Sequence, residues 1–165
     1  MSIMTNYLEE KLIDHLFKAV AYSHSSPASW YISLHTAAHG EDSSGGTEVS
    51  TSGTTYARVA VTRGSGFTRL SSSDARTVEN AATITFGVPS ANWGVATHVG
   101  VWDATSSGNL IIEAQLQFAK TINNGDPAPK YVSTVGFHDW NNSGHDGDLQ
   151  YADTAEASSE ATATW

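Results

Sequence analysis

Leu110, Ile112, Ala114, Leu116 and Phe118 occupy every second position of one run, while Glu113, Gln115 and Gln117 share the intervening positions with Ile111. Side chains of an extended chain point alternately to opposite faces, so residues 109–119 are predicted to form a strand with one face buried. The same period of two recurs in Trp30, Ile32 and Leu34, in Ala57, Val59 and Val61, in Ala82, Ile84 and Phe86 of a strand expected over 77–86, and in Val95, Val99 and Val101. A last strand is expected near 131–135. Links rich in Gly, Ser and Asn separate these runs. Residues 104–108 suit an antiparallel hairpin, 123–127 read as a turn, and 37–55 read as a loop with a possible short strand at 48–50. Six or seven short strands joined this way predict a mainly β fold, an antiparallel β-sandwich or jelly-roll-like domain.

One helix is expected in front of it. Leu8, Leu12, Ile13, Leu16, Phe17 and Val20 recur at three- and four-residue spacing, the stripe of an amphipathic helix placed at 7–21. Asn6 is read as its cap, with Glu9 as the capping-box partner. Pro27, after a run of serines, stops it. The expected organisation is therefore a single domain over 1–135 and an extended C-terminal arm over 136–165. That arm carries few aliphatic residues and cannot build a core of its own.

Charge narrows the partners. The chain of 165 residues carries 8 Lys+Arg against 17 Asp+Glu, a formal net charge of -9. Nucleic-acid binding draws its affinity from cationic neutralisation of phosphates, so no nucleic-acid partner is expected. All 8 bases precede residue 131, whereas six acids follow it. The excess charge thus belongs largely to the arm. Zero cysteines remove disulfides, thiolate metal sites and thiol nucleophiles together. No run approaches the roughly 18 consecutive apolar residues of a membrane span, so no membrane partner is expected. The first ten residues hold two acids and no base, the reverse of a secretion signal, and export is not expected.

Motifs for chemistry are weak. Asp139-x-Asn141-x-Ser143-Gly144 opens like a calcium loop, but Gln150 stands where a bidentate Glu is required, and a solvated turn is the plain reading. The seven histidines show neither His-x-His nor His-Glu-x-x-His spacing and are expected to be scattered packing or surface residues. Gly64-Ser65-Gly66 joins two strand-like runs and lacks the strand-to-helix setting of a nucleophile elbow. No catalytic, cofactor or metal residue is therefore assigned. Arg58, Arg63, Arg69 and Arg76 form a locally basic stretch, expected to pair with acids of the same or a neighbouring subunit. Trp, Tyr and Arg dominate interface hot spots, so Trp30, Arg58, Arg63, Arg69, Trp93, Trp102, Trp140 and Trp165 are the expected partner contacts, with a core role as the competing reading for Trp30 and Trp93.

Several stretches taken in order resemble one family. Residues 7–15 (Tyr-Leu-Glu-Glu-Lys-Leu-Ile-Asp-His), Trp30-Tyr31-Ile32-Ser33-Leu34-His35-Thr36-Ala37, Thr47-Glu48-Val49-Ser50, residues 55–61, residues 90–103 around Trp93-Gly94 and Trp102-Asp103, and Gly108-Asn109-Leu110-Ile111 are similar to small virion proteins of tailed bacteriophages. These are often labelled tail fibre proteins and are similar to capsid decoration or cement proteins. The resemblance spans about residues 6–135. It implies a non-enzymatic structural role in the virion, with synthesis in the host cytoplasm. The expected function is capsid decoration, in which the chain clamps the major capsid protein lattice and pairs with other copies of itself. The alternative is a tail fibre or tail tip that binds a host receptor or glycan.

Overall fold

The alternating runs resolve into antiparallel β structure with one helix. The computed structural model describes residues 3–21, 28–69, 77–131 and 134–136. In chain order the elements are β1 (Ile3–Met4), α1 (Asn6–Phe17), β2 (Ser29–Ala37), β3 (Thr47–Glu48), β4 (Val59–Thr62), β5 (Phe67–Arg69), β6 (Thr77–Asn80), β7 (Ile84–Thr85), β8 (Gly94–Trp102), β9 (Leu110–Ile122), β10 (Lys130–Tyr131) and β11 (Thr134–Gly136). The main sheet has six strands in the order β1-β9-β8-β2-β3, with β4 also paired to β2; β7 pairs with β10, and β6 lies between β5 and β11. The expected arm, with its Asx- and Gly-rich loop, Trp140 and Trp165, lies outside the described residues.

Register explains the core. Ile32 sits opposite Val59 on one side and Val101 on the other, and Leu34 sits opposite Val99, itself opposite Ala114. These β-branched and aliphatic residues make one apolar face. Val49, Tyr56, Ile84, Phe86 and Trp93 close over it. Tyr56 stacks on Phe86 at 6.1 Å and meets Trp93 edge-on at 5.2 Å, aromatic geometries that add to simple burial. Trp93, 4% exposed, is therefore core.

Strand β2 changes partners half-way. It pairs with β4 through residues 29–32 and with β3 at His35 and Ala37. Leu34 falls in the gap, and the Tyr56 hydroxyl fills it, accepting the Leu34 N–H at 2.8 Å. A buried amide is thus satisfied by a side chain where no neighbouring strand reaches it.

Two irregularities shape β9. The pairing shifts from Val101 with Ile112 to Trp102 with Leu110, so Ile111 is an extra residue, and Leu110 and Ile111 are both buried. Such a bulge re-aims side chains. Leu110, expected on the face of Ile112 and Ala114, instead approaches Gly100 on the opposite face, where its Cδ1 lies 3.0 Å from the position a Cβ would take. Further along, the register moves from His98 with Gln115 to Ala96 with Lys120, which leaves residues 116–119 out of the ladder. Phe118, expected inside, is consequently 68% exposed.

The helix also departs from expectation. It ends at Phe17 rather than 21, and Thr5, not Asn6, is the N-cap residue. The Thr5 hydroxyl makes no cap; it donates to the Leu110 carbonyl at 2.6 Å and so fastens the helix start to β9. Only Leu8 of α1 is buried, whereas Ile13, Leu16 and Phe17 of the apolar stripe, and Val20 beyond it, are 48–81% exposed.

Candidate functional site

The face of the main sheet opposite the core carries polar groups under cover. Ser33 and His35 alternate with the core residues Ile32 and Leu34 on β2, and both are 0% exposed. Gly100 of β8 stands opposite Ser33, and Glu113 of β9 stands opposite Gly100. The absence of a side chain at Gly100 is required there: a Cβ would lie 2.7 Å from His35 Cε1 and 2.8 Å from Ser33 Oγ. His39, in the loop after β2, swings back to complete the group.

Glu113 is its centre. Its Oε1 accepts from the His35 ring at Nδ1 and from His39 Nδ1 at 2.8 Å, and its Oε2 accepts the His39 backbone N–H at 2.7 Å. Burial by itself would push this carboxyl up. The hydrogen bonds from His35 and His39 outweigh burial and hold it below the ordinary carboxylate value. Behind His35, its Nε2 lies 2.7 Å from Ser33 Oγ, which accepts the Trp102 indole N–H at 2.8 Å. The rings of His35, His39 and Trp102 meet edge to face, at 4.6 to 6.1 Å. His98, whose pKa burial lowers, lines a cavity of about 40 Å³ with Thr5, His39, Leu110 and Glu113.

A second polar cluster adjoins it. Arg58 donates from Nε to Glu48 Oε1 at 2.9 Å and from Nη2 to Glu48 Oε2 at 2.7 Å, while Nη1 donates to the carbonyls of Ala104 and Ser107, each at 2.8 Å. Its guanidinium lies 3.8 Å from the Trp102 ring centroid. Burial pushes the Glu48 carboxyl up, but the hydrogen bond and charge of Arg58, with the Tyr56 hydroxyl, bring it below its ordinary value.

The serine, histidine and glutamate stand in the hydrogen-bond order of a nucleophile, its base and the base's orienter. Ser33 nevertheless lies sealed beneath Trp102, so its hydroxyl serves as a structural link in this conformation. Of the residues expected to meet partners, Arg58, Trp93 and Trp102 are spent inside the domain, Arg58 on a carboxylate of its own chain. Trp30 is half-buried, and exposed Arg63 lies 5.0 Å from its ring centroid. The Arg69 side chain, Trp140 and Trp165 lie outside the described residues. The expectation of scattered histidines fails for His35 and His39. Their four-residue spacing matches no strand or helix motif because one is on a strand and the other in a loop.

Residues 3–138, more than four-fifths of the chain, match the family described as podophage GP4 fiber I protein gp80. The chain belongs to that family. It is thereby a structural protein of tailed-phage virions, and the fibre family extends over the helix, the main sheet and both polar clusters. No curated protein matches the chain.

Proposed function

We propose that the chain is a fibre subunit of a tailed-phage virion, without enzymatic activity, joined to another copy of itself or to a neighbouring virion protein through the outer face of α1. The observation that carries this reading is the apolar stripe of that helix. Leu16 is 70% exposed and Phe17 81% exposed, with Ile13 about half exposed, although the core is complete without them. Apolar side chains gathered on one exposed face mark an interaction surface. The fibre family supports placement on the tail, and the burial of Ser33 and His35 supports a role without a reaction. Trp30 and Arg63 offer a further contact surface for a receptor or glycan. The competing reading is capsid decoration, with the major capsid protein as partner.

Antibody labelling of intact virions separates the two. Gold at the tail or its fibres is expected, whereas gold over the head surface overturns the fibre reading in favour of decoration. Light scattering of the purified chain and of Phe17→Asp tests the helix: self-association that the substitution abolishes is expected if copies pair through α1.

A further inference from the structure

Glu113 presents a problem of charge. It is 6% exposed, and no Lys or Arg pairs with it among the described residues; Arg58 is committed to Glu48. A buried carboxylate is stabilised by a compensating cation. Two imidazoles converge on the same oxygen.

The geometry points to a metal site: His35 Nδ1, His39 Nδ1 and a Glu113 carboxylate oxygen bind one divalent transition-metal ion, zinc by ligand type. The three residues each offer a ligand atom within 4.8 Å of the other two, and both Nδ1 atoms face Glu113 Oε1. Two imidazoles with one carboxylate are a zinc donor set, usually completed by a water. Tetrahedral coordination with bonds of about 2.0 Å puts ligand atoms about 3.3 Å apart, so the 2.8 Å between His39 Nδ1 and Glu113 Oε1 opens by about half an ångström. The adjoining cavity of about 40 Å³ holds the water.

The surrounding hydrogen bonds accommodate this change. To bind through Nδ1, an imidazole is neutral and carries its proton on Nε2. For His35 that Nε2–H then donates to Ser33 Oγ at 2.7 Å, and the Ser33 proton turns to the Gly100 carbonyl at 3.3 Å. Ser33 still accepts from Trp102 Nε1. Each donor of this Trp102–Ser33–His35 chain keeps an acceptor, and His35 acquires the orienting partner that metal-bound histidines require. The His39 N–H likewise fixes the free Glu113 oxygen. The ion would tie the loop after β2 to β9.

The test uses the full chain without a histidine tag, treated with chelator and titrated with zinc chloride alone. Calorimetry is expected to show one saturable equivalent of micromolar or tighter affinity, with a melting temperature raised by about 5 °C or more. His39→Ala, at a loop residue outside the apolar core, is expected to weaken binding at least 100-fold. Nitrogen NMR of the wild-type histidine rings, which needs no variant, is expected to show the Nδ1 resonances of His35 and His39 moving on zinc addition. Absence of saturable binding, equal binding by His39→Ala, or unmoved His35 and His39 resonances would each overturn the site.

Discussion

Tyr56 uses one oxygen for two purposes. It accepts the Leu34 amide at 2.8 Å and donates to Glu48 Oε1 at 2.9 Å, and burial with the nearby Glu48 charge pushes its pKa up, so it stays a neutral donor. Tyr56→Phe keeps the ring packing and orphans the Leu34 N–H. A loss of about 1–3 kcal/mol is expected from urea unfolding; an unchanged midpoint would mean that water replaces the hydroxyl. Gly100 makes a different demand, since its empty face is what lets Ser33, His35 and Leu110 meet. Gly100→Ala overpacks that contact, with an expected cost of about 1–3 kcal/mol and displacement of the His35 ring, readable in its NMR shifts.

Elements inherit these local constraints. In α1, Leu8 is 6% exposed and Leu16 70%, so the two leucines of one stripe have unlike roles. Leu8→Ala is expected to lower stability by about 2–4 kcal/mol and Leu16→Ala by less than about 0.5 kcal/mol, measured by denaturant unfolding. Equal costs would place the helix against a second apolar surface. Periodicity announced the stripe but could not say that it faces outward, because an amphipathic pattern is the same whether the partner is the chain's own core or another molecule. The strands β2, β8 and β9 were legible for a firmer reason, since each runs long enough for alternation to mark an extended chain, although the register shifts of β9 overturn the expected placement of Leu110 and Phe118. Residues 77–86 were not: what reads as one strand divides into β6 and β7, which join different small sheets. The site was the least legible part. Its one trace lay in β9, where Leu110, Ile111 and Ile112 are apolar on both alternations beside Glu113, although the alternation read alone puts Glu113 on the uncovered face. His39 left no trace, because only the return of its loop brings it to β9.

At the scale of the molecule, charge sets the response to acid. Glu48 faces Arg58 and the Tyr56 hydroxyl, with His35 across the strand pair, and its folded pKa lies below the ordinary 4.5. A depressed carboxylate contributes stability that is fully present above its unfolded value and is lost as pH falls through the folded one. Melting temperature is therefore expected to fall as pH drops below about 4.5, with a shallower fall in Glu48→Gln. A variant with the same acid slope as the wild type would assign that slope to other carboxylates.

The main sheet begins and ends on the two-residue strands Ile3–Met4 and Thr47–Glu48. Strands so brief offer a neighbour almost no backbone to copy. At β1 and β3 the sheet gives a neighbouring chain little to extend, so a contact made there is written in surface side chains. Substitution can then rewrite such a contact one residue at a time, while the hydrogen-bonded frame beneath is left unaltered.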